Sequence, residues 1–133
     1  MTRPDDKGQT TAFVAVMASA LLLCLGLVTD GGGVLRARNE AATLAQEAAR
    51  AGAQQLDWAA YREGTDEVAL DPSAASAAAH SFLGAAGATG TVAVSGDTVT
   101  VTCSVPYSFT LLPMGSTTVD ATATARPHTQ PTP

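Results

Sequence analysis

The feature that most constrains this chain is an apolar run from Thr10 to Thr29, which holds twenty residues without a charge. Lys7 precedes the run and Asp30 follows it. A bilayer core of roughly 30 Å needs about 20 apolar residues at helical rise, and backbone groups in lipid must be hydrogen-bonded within the segment. We therefore predict one transmembrane helix over residues 10–29, after a short stub over residues 1–9.

A cleaved secretory signal is the less favoured interpretation of the same run. Such signals carry 7–15 apolar residues and a cleavage site of small residues, whereas this run is longer and ends in Val28-Thr29-Asp30. A lipid-modified cysteine is less favoured still, because the residue before Cys24 is Leu23 and not a small residue. We expect Cys24 to be an apolar residue of a lipid-facing helix.

The orientation of the helix follows from its flanks. Arg3 and Lys7 lie before the apolar run and Arg36 and Arg38 lie after it, so the positive charges are nearly balanced. The short stub and the long downstream region favour a cytoplasmic N-terminus. The sequence thus predicts a single-pass protein of the cell membrane with an extracytoplasmic head.

The head is acidic. The formal net charge of −5 lies wholly in residues 57–133, which contain two arginines and no lysine. This distribution gives no basic surface for nucleic acid and no attraction to anionic lipid headgroups. Much of the apolar composition is alanine, which buries little area, so we expect a thin core that depends on the chain's long helix or on neighbouring chains.

Asp30-Gly31-Gly32-Gly33 follows the membrane run, and we predict a hinge or kink there because each glycine costs a helix interior about 1 kcal/mol relative to alanine. A helical stalk then resumes at Val34 and extends to about Leu56. Within it, a stripe of small residues recurs at helical spacing: Ala41, Ala45, Ala48 and Gly52. The stripe either lets another helix, such as that of a partner protein, approach closely or reflects the helix propensity of alanine alone.

The head, residues 58–126, is predicted to contain a helix and a small antiparallel sheet. Asp71 as N-cap and Pro72 at the first helical position begin a helix that ends near Gly84. Alternating valines flank Gly96-Asp97, a two-residue hairpin loop, which pairs Ser95 with Thr98 and places the valines on one face. A third alternating run ends at Ala125, and the tail over residues 127–133 is predicted to be disordered.

Three further predictions concern individual side chains of the head. Trp58 and Tyr61 are expected to pack in the head and not at a membrane interface, because they lie far past the apolar run. Cys103 falls on the apolar face of the hairpin and is expected to be a buried thiol. It is too distant from Cys24 for a disulfide that would have to reach into the bilayer.

The sequence contains no arrangement that indicates catalysis or a cofactor. Gly31–Gly33 lacks the preceding strand of a phosphate-binding loop, and His80 and His128 have no metal-ligating partners at suitable spacing. The acidic residues from Asp66 to Asp71 are expected to form a solvated loop without a calcium site. We predict a non-enzymatic protein with no metal and no cofactor.

The chain from residue 7 to residue 57 resembles the N-terminal module of TadE/TadG-like proteins. The resemblance is carried by Lys7-Gly8-Gln9, the apolar helix, Asp30-Gly31-Gly32 and the following Val34-Leu35-Arg36-Ala37-Arg38. The hairpin and the threonine- and alanine-rich run after it look similar to short actinobacterial members. This family is associated with the assembly of Flp-type, or tight-adherence, pili. The resemblance therefore implies a bacterial, pilin-like component of pilus assembly or secretion.

The resemblance also implies a possible processing site. In such pilin-like proteins a peptidase cuts after a glycine before the apolar run, and glutamate occupies the fifth mature position. The matching residues are Gly8 and Gln9, but the fifth position is Phe13. This departure favours a TadG-like, uncleaved accessory over a TadE-like minor pilin. A signal-anchored binding module unrelated to pili, a secreted protein and a small envelope enzyme remain alternatives, the last the least favoured.

Overall fold

The computed structural model describes residues 6–64 and 69–128 of the chain. Its elements, in chain order, are α1 (Asp6–Ala53), α2 (Trp58–Arg62), α3 (Pro72–Ala85), β1 (Thr89–Ser95), β2 (Thr98–Ser108) and β3 (Ser116–Ala125). The predicted α+β fold, with a long N-terminal helix, a second helix and three antiparallel strands, is confirmed. The predicted disorder of the tail and the acidic loop around Asp66 fall largely outside the described residues.

Helix α1 is uninterrupted over 48 residues, which gives a length of about 70 Å at 1.5 Å per residue. It continues through Gly31, Gly32 and Gly33, so the helix is not broken at the predicted hinge. The helix ends at Ala53, three residues before the predicted end at Leu56. The reason is a short antiparallel bridge, in which Leu56 pairs with Leu70 and draws this segment into an extended conformation.

An aspartate caps the N-terminus of each of the two shorter helices. The carboxylate of Asp71 accepts hydrogen bonds from the backbone N–H groups of Ser73 and Ala74 at 2.9 and 3.0 Å, as predicted for the N-cap of α3. Asp57 caps α2 in the same way, although the sequence did not indicate a helix there. A side-chain oxygen at this position satisfies N–H groups that have no partner within the helix.

The aromatic residues of α2 are packed against each other at the surface of the head. The rings of Trp58 and Tyr61 make an edge-to-face contact with their centroids 6.1 Å apart. Both side chains remain largely exposed. Both aromatic residues therefore pack at the surface of the head, as predicted.

The sheet has the strand order β1-β2-β3 and is antiparallel throughout. Ser95 pairs with Thr98, and Val94 pairs with Val99, which confirms the predicted hairpin register. Gly96 in the connecting turn has a φ of 58°, a conformation that glycine adopts without a steric penalty. The third strand pairs with β2 along its whole length.

The core lies between the second half of α1, helix α3 and one face of the sheet. Its largest fully buried side chains are few and of moderate size, namely Leu83, Val99, Val101 and Cys103. The rest of the core consists mainly of alanines from α1 and α3. The thin head is thus supported by the chain's own long helix, one of the two supports that the composition predicts.

The small-residue stripe of α1 is covered by its own chain. Ala41, Ala45 and Ala48 are fully buried, and a Cβ added at Gly52 would lie 3.0 Å from both the carbonyl oxygen of Ala75 and a methyl group of Val99. At Gly52 the close approach that the stripe predicts is therefore made by α3 and β2 of the same chain. In this structure the stripe is not open to a helix of another protein, which corrects the predicted route to a partner.

Candidate functional site at the membrane end of the head

Asp30 is the only buried charged residue among the residues that the structure describes. It lies on α1 immediately after the predicted membrane segment, and its side chain has no exposed surface. Its carboxylate accepts backbone hydrogen bonds from Thr110 at 2.9 Å, Leu111 at 3.0 Å and Leu112 at 2.7 Å. Three consecutive N–H groups of one loop therefore converge on one side chain of the helix.

Tyr107, at the end of β2, completes this arrangement. Its hydroxyl donates a longer hydrogen bond of 3.4 Å to Asp30, and its ring makes an edge-to-face contact with Phe109. The ring passes so close to Gly33 that a Cβ there would overlap the tyrosine hydroxyl. The third glycine of the Gly31–Gly33 run therefore makes room for Tyr107, a role that glycine fills because it has no side chain.

We call this group the Asp30 latch: Asp30, Gly33, Tyr107 and the backbone N–H groups of residues 110–112. The N–H of Thr110 is the largest cause that lowers the pKa of Asp30, with the N–H groups of Leu112 and Leu111 and the Tyr107 hydroxyl adding to it against the opposing effect of burial. Burial, followed by the charge of Asp30, raises the pKa of Tyr107. Both shifts favour a charged acceptor and a protonated donor at neutral pH.

The loop held by the latch, residues 109–115, uses its own backbone hydrogen bonds as well. The N–H of Phe109 donates to the carbonyl of Gly115 at 2.9 Å, and that of Met114 donates to the carbonyl of Leu112 at 2.8 Å. Pro113 has no N–H to satisfy. Every backbone N–H from Phe109 to Met114 is therefore donated within the chain.

The same loop lies against the last turn of the predicted membrane segment. A Cβ added at Gly26 would be 3.5 Å from the Cβ of Leu111 and 3.5 Å from a methyl group of Leu112, which is ordinary contact distance. Gly26 is buried as a result, whereas the neighbouring residues of α1 are exposed. The latch thus joins the head to α1 at the level where the apolar run ends.

The Asp30 latch is a structural feature and not a catalytic or metal-binding site. Both oxygens of Asp30 are occupied by donors, and a carboxylate used in this way is not free to act as a general base or as a metal ligand. Among the described residues, no three His, Cys, Asp or Glu side chains are grouped so that they could hold a metal ion. His80 and His128 are exposed and lie on α3 and in the tail.

A cavity of about 250 Å³ lies at the opposite end of the head, beside α2. It is lined by Leu56, Asp57, Trp58, Tyr61 and Ala69. Typical ligand pockets have volumes of roughly 300–1,000 Å³, and the one carboxylate here already caps α2. The cavity therefore offers little polar chemistry for the recognition of a ligand.

Of the site residues predicted from the sequence, only Asp30 belongs to the latch. Gly8 and Gln9 lie exposed near the start of α1, and a Cβ added at Gly31 or Gly32 would meet no atom within 4 Å. Arg36 and Arg38 are exposed on α1. Sequence reasoning missed the rest of the latch, Gly33, Tyr107 and the loop. The one available signal was an acidic residue directly after an apolar run, combined with an uncharged stretch over residues 106–119.

The first half of α1 differs from a core helix of a soluble protein. It is long and apolar enough to cross a membrane, and almost none of the apolar stretch is buried by the rest of the chain. Its large side chains, from Phe13 to Val28, are exposed. The apolar half of α1 thus presents a surface that matches lipid and not water.

Comparison with known proteins identifies a family that resembles the N-terminal part of the chain. Residues 8–55 match the family Tad, described as Flp pilus-assembly TadE/G-like. The matched segment contains the apolar run and nearly all of the stalk, and it covers a little over a third of the chain. No curated protein and no solved structure matches the chain.

Proposed function

Because residues 8–55 match a TadE/G-like domain, we propose that the chain is a membrane-anchored structural component of Flp-type pilus assembly or secretion. The observation that carries the proposal is the coincidence of this match with a single helix, α1, whose first half is apolar and exposed and whose second half forms the floor of the head. The component has no enzymatic role. Its work is to hold a small head at the membrane.

The proposed topology places residues 1–9 in the cytoplasm and residues 10–29 in the membrane. Residues 30–57 form the stalk, residues 58–126 form the rest of the extracytoplasmic head, and residues 127–133 form a tail. The balance of charges around the helix, together with the short stub and long downstream region, supports this orientation. The alanines of the stalk support the head as its floor, so that the stalk and head act as one unit.

We further propose that the chain is TadG-like and of actinobacterial type, and that it is not processed. Phe13 stands where a glutamate is expected in a processed pilin, which supports an uncleaved accessory. Since the small-residue stripe is buried within its own chain, the surface left for other pilus proteins in the membrane is the exposed surface of residues 10–29. Contacts there would form a homo-oligomer or a hetero-oligomer.

The test is the intact mass and N-terminal sequence of the full chain, recovered separately from membranes and from sheared surface material. We expect an uncut chain in the membrane fraction that co-purifies with the filament assembly machinery. Gly8→Ala, which blocks cleavage after Gly8, is expected to add only the mass of one methylene group and to leave the location unchanged. Gly31→Ala is the matched control, because an added Cβ meets no atom within 4 Å at either position.

The other outcomes identify the alternatives. A chain that begins at Gln9 and occurs in the sheared fraction would contradict the uncleaved accessory and would indicate a pilin-like subunit. A chain that begins after Thr29 would contradict membrane anchoring and indicate a secreted protein. An uncut chain that never co-purifies with pilus components, and whose melting temperature rises with a ligand, would indicate a tethered binding module.

A further inference from the structure

We propose that the loop over residues 109–115 inserts into the outer leaflet of the bilayer and forms a second, non-helical contact between the head and the membrane. The proposal rests on the membrane anchoring proposed for α1 and adds a binding surface to it. Its partner is the boundary between lipid headgroups and acyl chains. Three properties of the loop support insertion: its depth, its side chains and its backbone.

The depth of the loop follows from its contact with α1. Leu111 and Leu112 lie against Gly26, three residues before the end of the apolar run at Thr29. At 1.5 Å per residue, this contact lies about 5 Å inside the end of the run. If α1 spans the bilayer over residues 10–29, the loop is at the depth where interfacial segments bury their apolar side chains, about 5–10 Å into the boundary.

The side chains of the loop suit this position. Leu111 is 56 % exposed and Met114 is 65 % exposed, and the residues from Pro106 to Val119 include no charge. These side chains extend an apolar surface that already covers the neighbouring turns of α1. In water they would form an unpartnered apolar patch, but beside a membrane helix they are continuous with its lipid-facing surface.

The backbone N–H groups of the loop are prepared for an environment with little water. An amide that is buried without a hydrogen bond costs roughly 2–7 kcal/mol, so irregular backbone rarely enters lipid. Here every backbone N–H from Phe109 to Met114 donates to an acceptor inside the chain, and three of these N–H groups donate to the two carboxylate oxygens of Asp30. The latch thus satisfies three of the loop's donors and a buried carboxylate together, where both would otherwise face lipid.

The experiment measures tryptophan quenching by brominated lipids in the full-length protein, reconstituted at low density in phosphatidylcholine vesicles. Trp58 is the chain's single tryptophan and lies at the far end of the head, so the wild-type protein reports a site away from the membrane. In a Trp58→Phe background, Met114→Trp places the probe in the loop. Val16→Trp in the same background places it within the predicted membrane segment.

We expect the probe at position 114 to shift its emission to the blue and to be quenched several-fold more than Trp58 by lipids brominated near the headgroup. The probe at position 16 is expected to be quenched best by lipids brominated deeper in the chain. If position 16 is quenched and position 114 is not, the loop does not insert and only this inference fails. If neither is quenched, the membrane anchoring of α1 fails and the inference fails with it.

A third result would identify a different partner for the loop. A blue shift at position 114 without quenching by any brominated lipid would mean that protein, such as a second copy of the chain, covers the loop. That result would overturn insertion into lipid. Leu111→Ser provides a further check, since it should reduce quenching at position 114 while leaving quenching at position 16 unchanged.

Discussion

The two halves of α1 use apolar residues in opposite ways. Over residues 10–29 the large side chains face outward and are exposed, whereas over residues 37–53 small side chains face inward and are buried. Lipid accepts large apolar side chains from every direction, so the first half needs no partner of its own. The second half must let α3 and the sheet approach closely, and alanine and glycine allow this. Among the apolar residues of α1, side-chain size therefore distinguishes the membrane half from the head half.

The Asp30 latch marks the boundary between these two halves, and its loss is the largest effect that we predict. Asp30→Ala removes the acceptor of three consecutive N–H groups and of the Tyr107 hydroxyl. We expect the head to melt many degrees lower in thermal unfolding followed by circular dichroism in micelles. Asp120→Ala is the control, since Asp120 is exposed on β3 and exposed positions usually change stability by less than about 0.5 kcal/mol. Equal melting of the two variants would refute the role of the latch.

The latch should also respond to acid. The pKa of Asp30 is lowered in the folded protein below its ordinary value of 3.8, chiefly by the N–H of Thr110. A carboxyl group of this kind stabilises the fold fully above its unfolded pKa, and this contribution declines as the pH falls through its folded pKa. The difference in melting temperature between the wild type and Asp30→Asn should be constant from neutral pH to about pH 5 and shrink below pH 4. A difference that does not change with pH would contradict a charged Asp30.

The contrast in residue size can be tested by making the same substitution, alanine to leucine, in both halves of α1. Ala45→Leu adds volume to a fully buried position of the core, and overpacking of this kind costs typically about 1–3 kcal/mol. Ala18→Leu makes the same change at an exposed position of the membrane half and should leave the stability of the head unchanged. Thermal unfolding of both variants in micelles measures the difference. Similar losses in both would show that the two halves are not distinguished by packing.

The glycine run provides a finer comparison within one turn of α1. Gly33→Ala places a Cβ against the Tyr107 hydroxyl and should destabilise the head by about 1–2 kcal/mol through overpacking. Gly32→Ala meets no atom within 4 Å and should stabilise the helix by up to about 1 kcal/mol. Chemical denaturation of both variants measures whether each substitution raises or lowers the free energy of unfolding. Two changes of the same sign would argue that Tyr107 does not contact the helix.

Chemical labelling of the two native cysteines should distinguish the environments of the two halves of the molecule, and it requires no substitution that could alter stability. Cys24 is exposed on the membrane half, and Cys103 is fully buried in the head. Burial raises the pKa of Cys103, and the nearby charges of Glu40 and Asp120 raise it further, so little reactive thiolate forms. In vesicles, a water-soluble maleimide should label Cys103 only after denaturant unfolds the head, and it should not label Cys24 while lipid covers the helix. Labelling of Cys103 in the folded protein would contradict the buried position.

The fold was largely predictable because its signals are local. The valines around Gly96-Asp97 determine the hairpin register, and Asp71-Pro72 specifies the start of α3, each within a few residues of sequence. The apolar run over residues 10–29 likewise needs only composition and length. These elements can be predicted because side-chain alternation, caps and turns act between neighbours.

The latch was not predictable for the opposite reason. Asp30 and its three backbone donors are 80 to 82 residues apart, and a backbone N–H has no sequence signature. Gly31, Gly32 and Gly33 are the same residue type. Only the rotation of α1 relative to Tyr107 determines that Gly33 is the one that contacts the tyrosine ring. The same rotation decides that the small-residue stripe is buried by its own chain. Such contacts depend on how elements pack, and the sequence pattern records only which elements form.

The central claim is that α1 is one helix that continues from lipid into the head, and a spin-label distance tests it most directly. Leu22→Cys and Glu47→Cys, made together with Cys24→Ala, place labels at two exposed positions on either side of the glycine run; the buried Cys103 stays unlabelled. For a continuous helix, 25 residues at 1.5 Å each give a separation of about 38 Å with a narrow distribution. A broad distribution, or one centred well below this distance, would mean that Gly31–Gly33 act as a hinge and that the two halves are separate bodies.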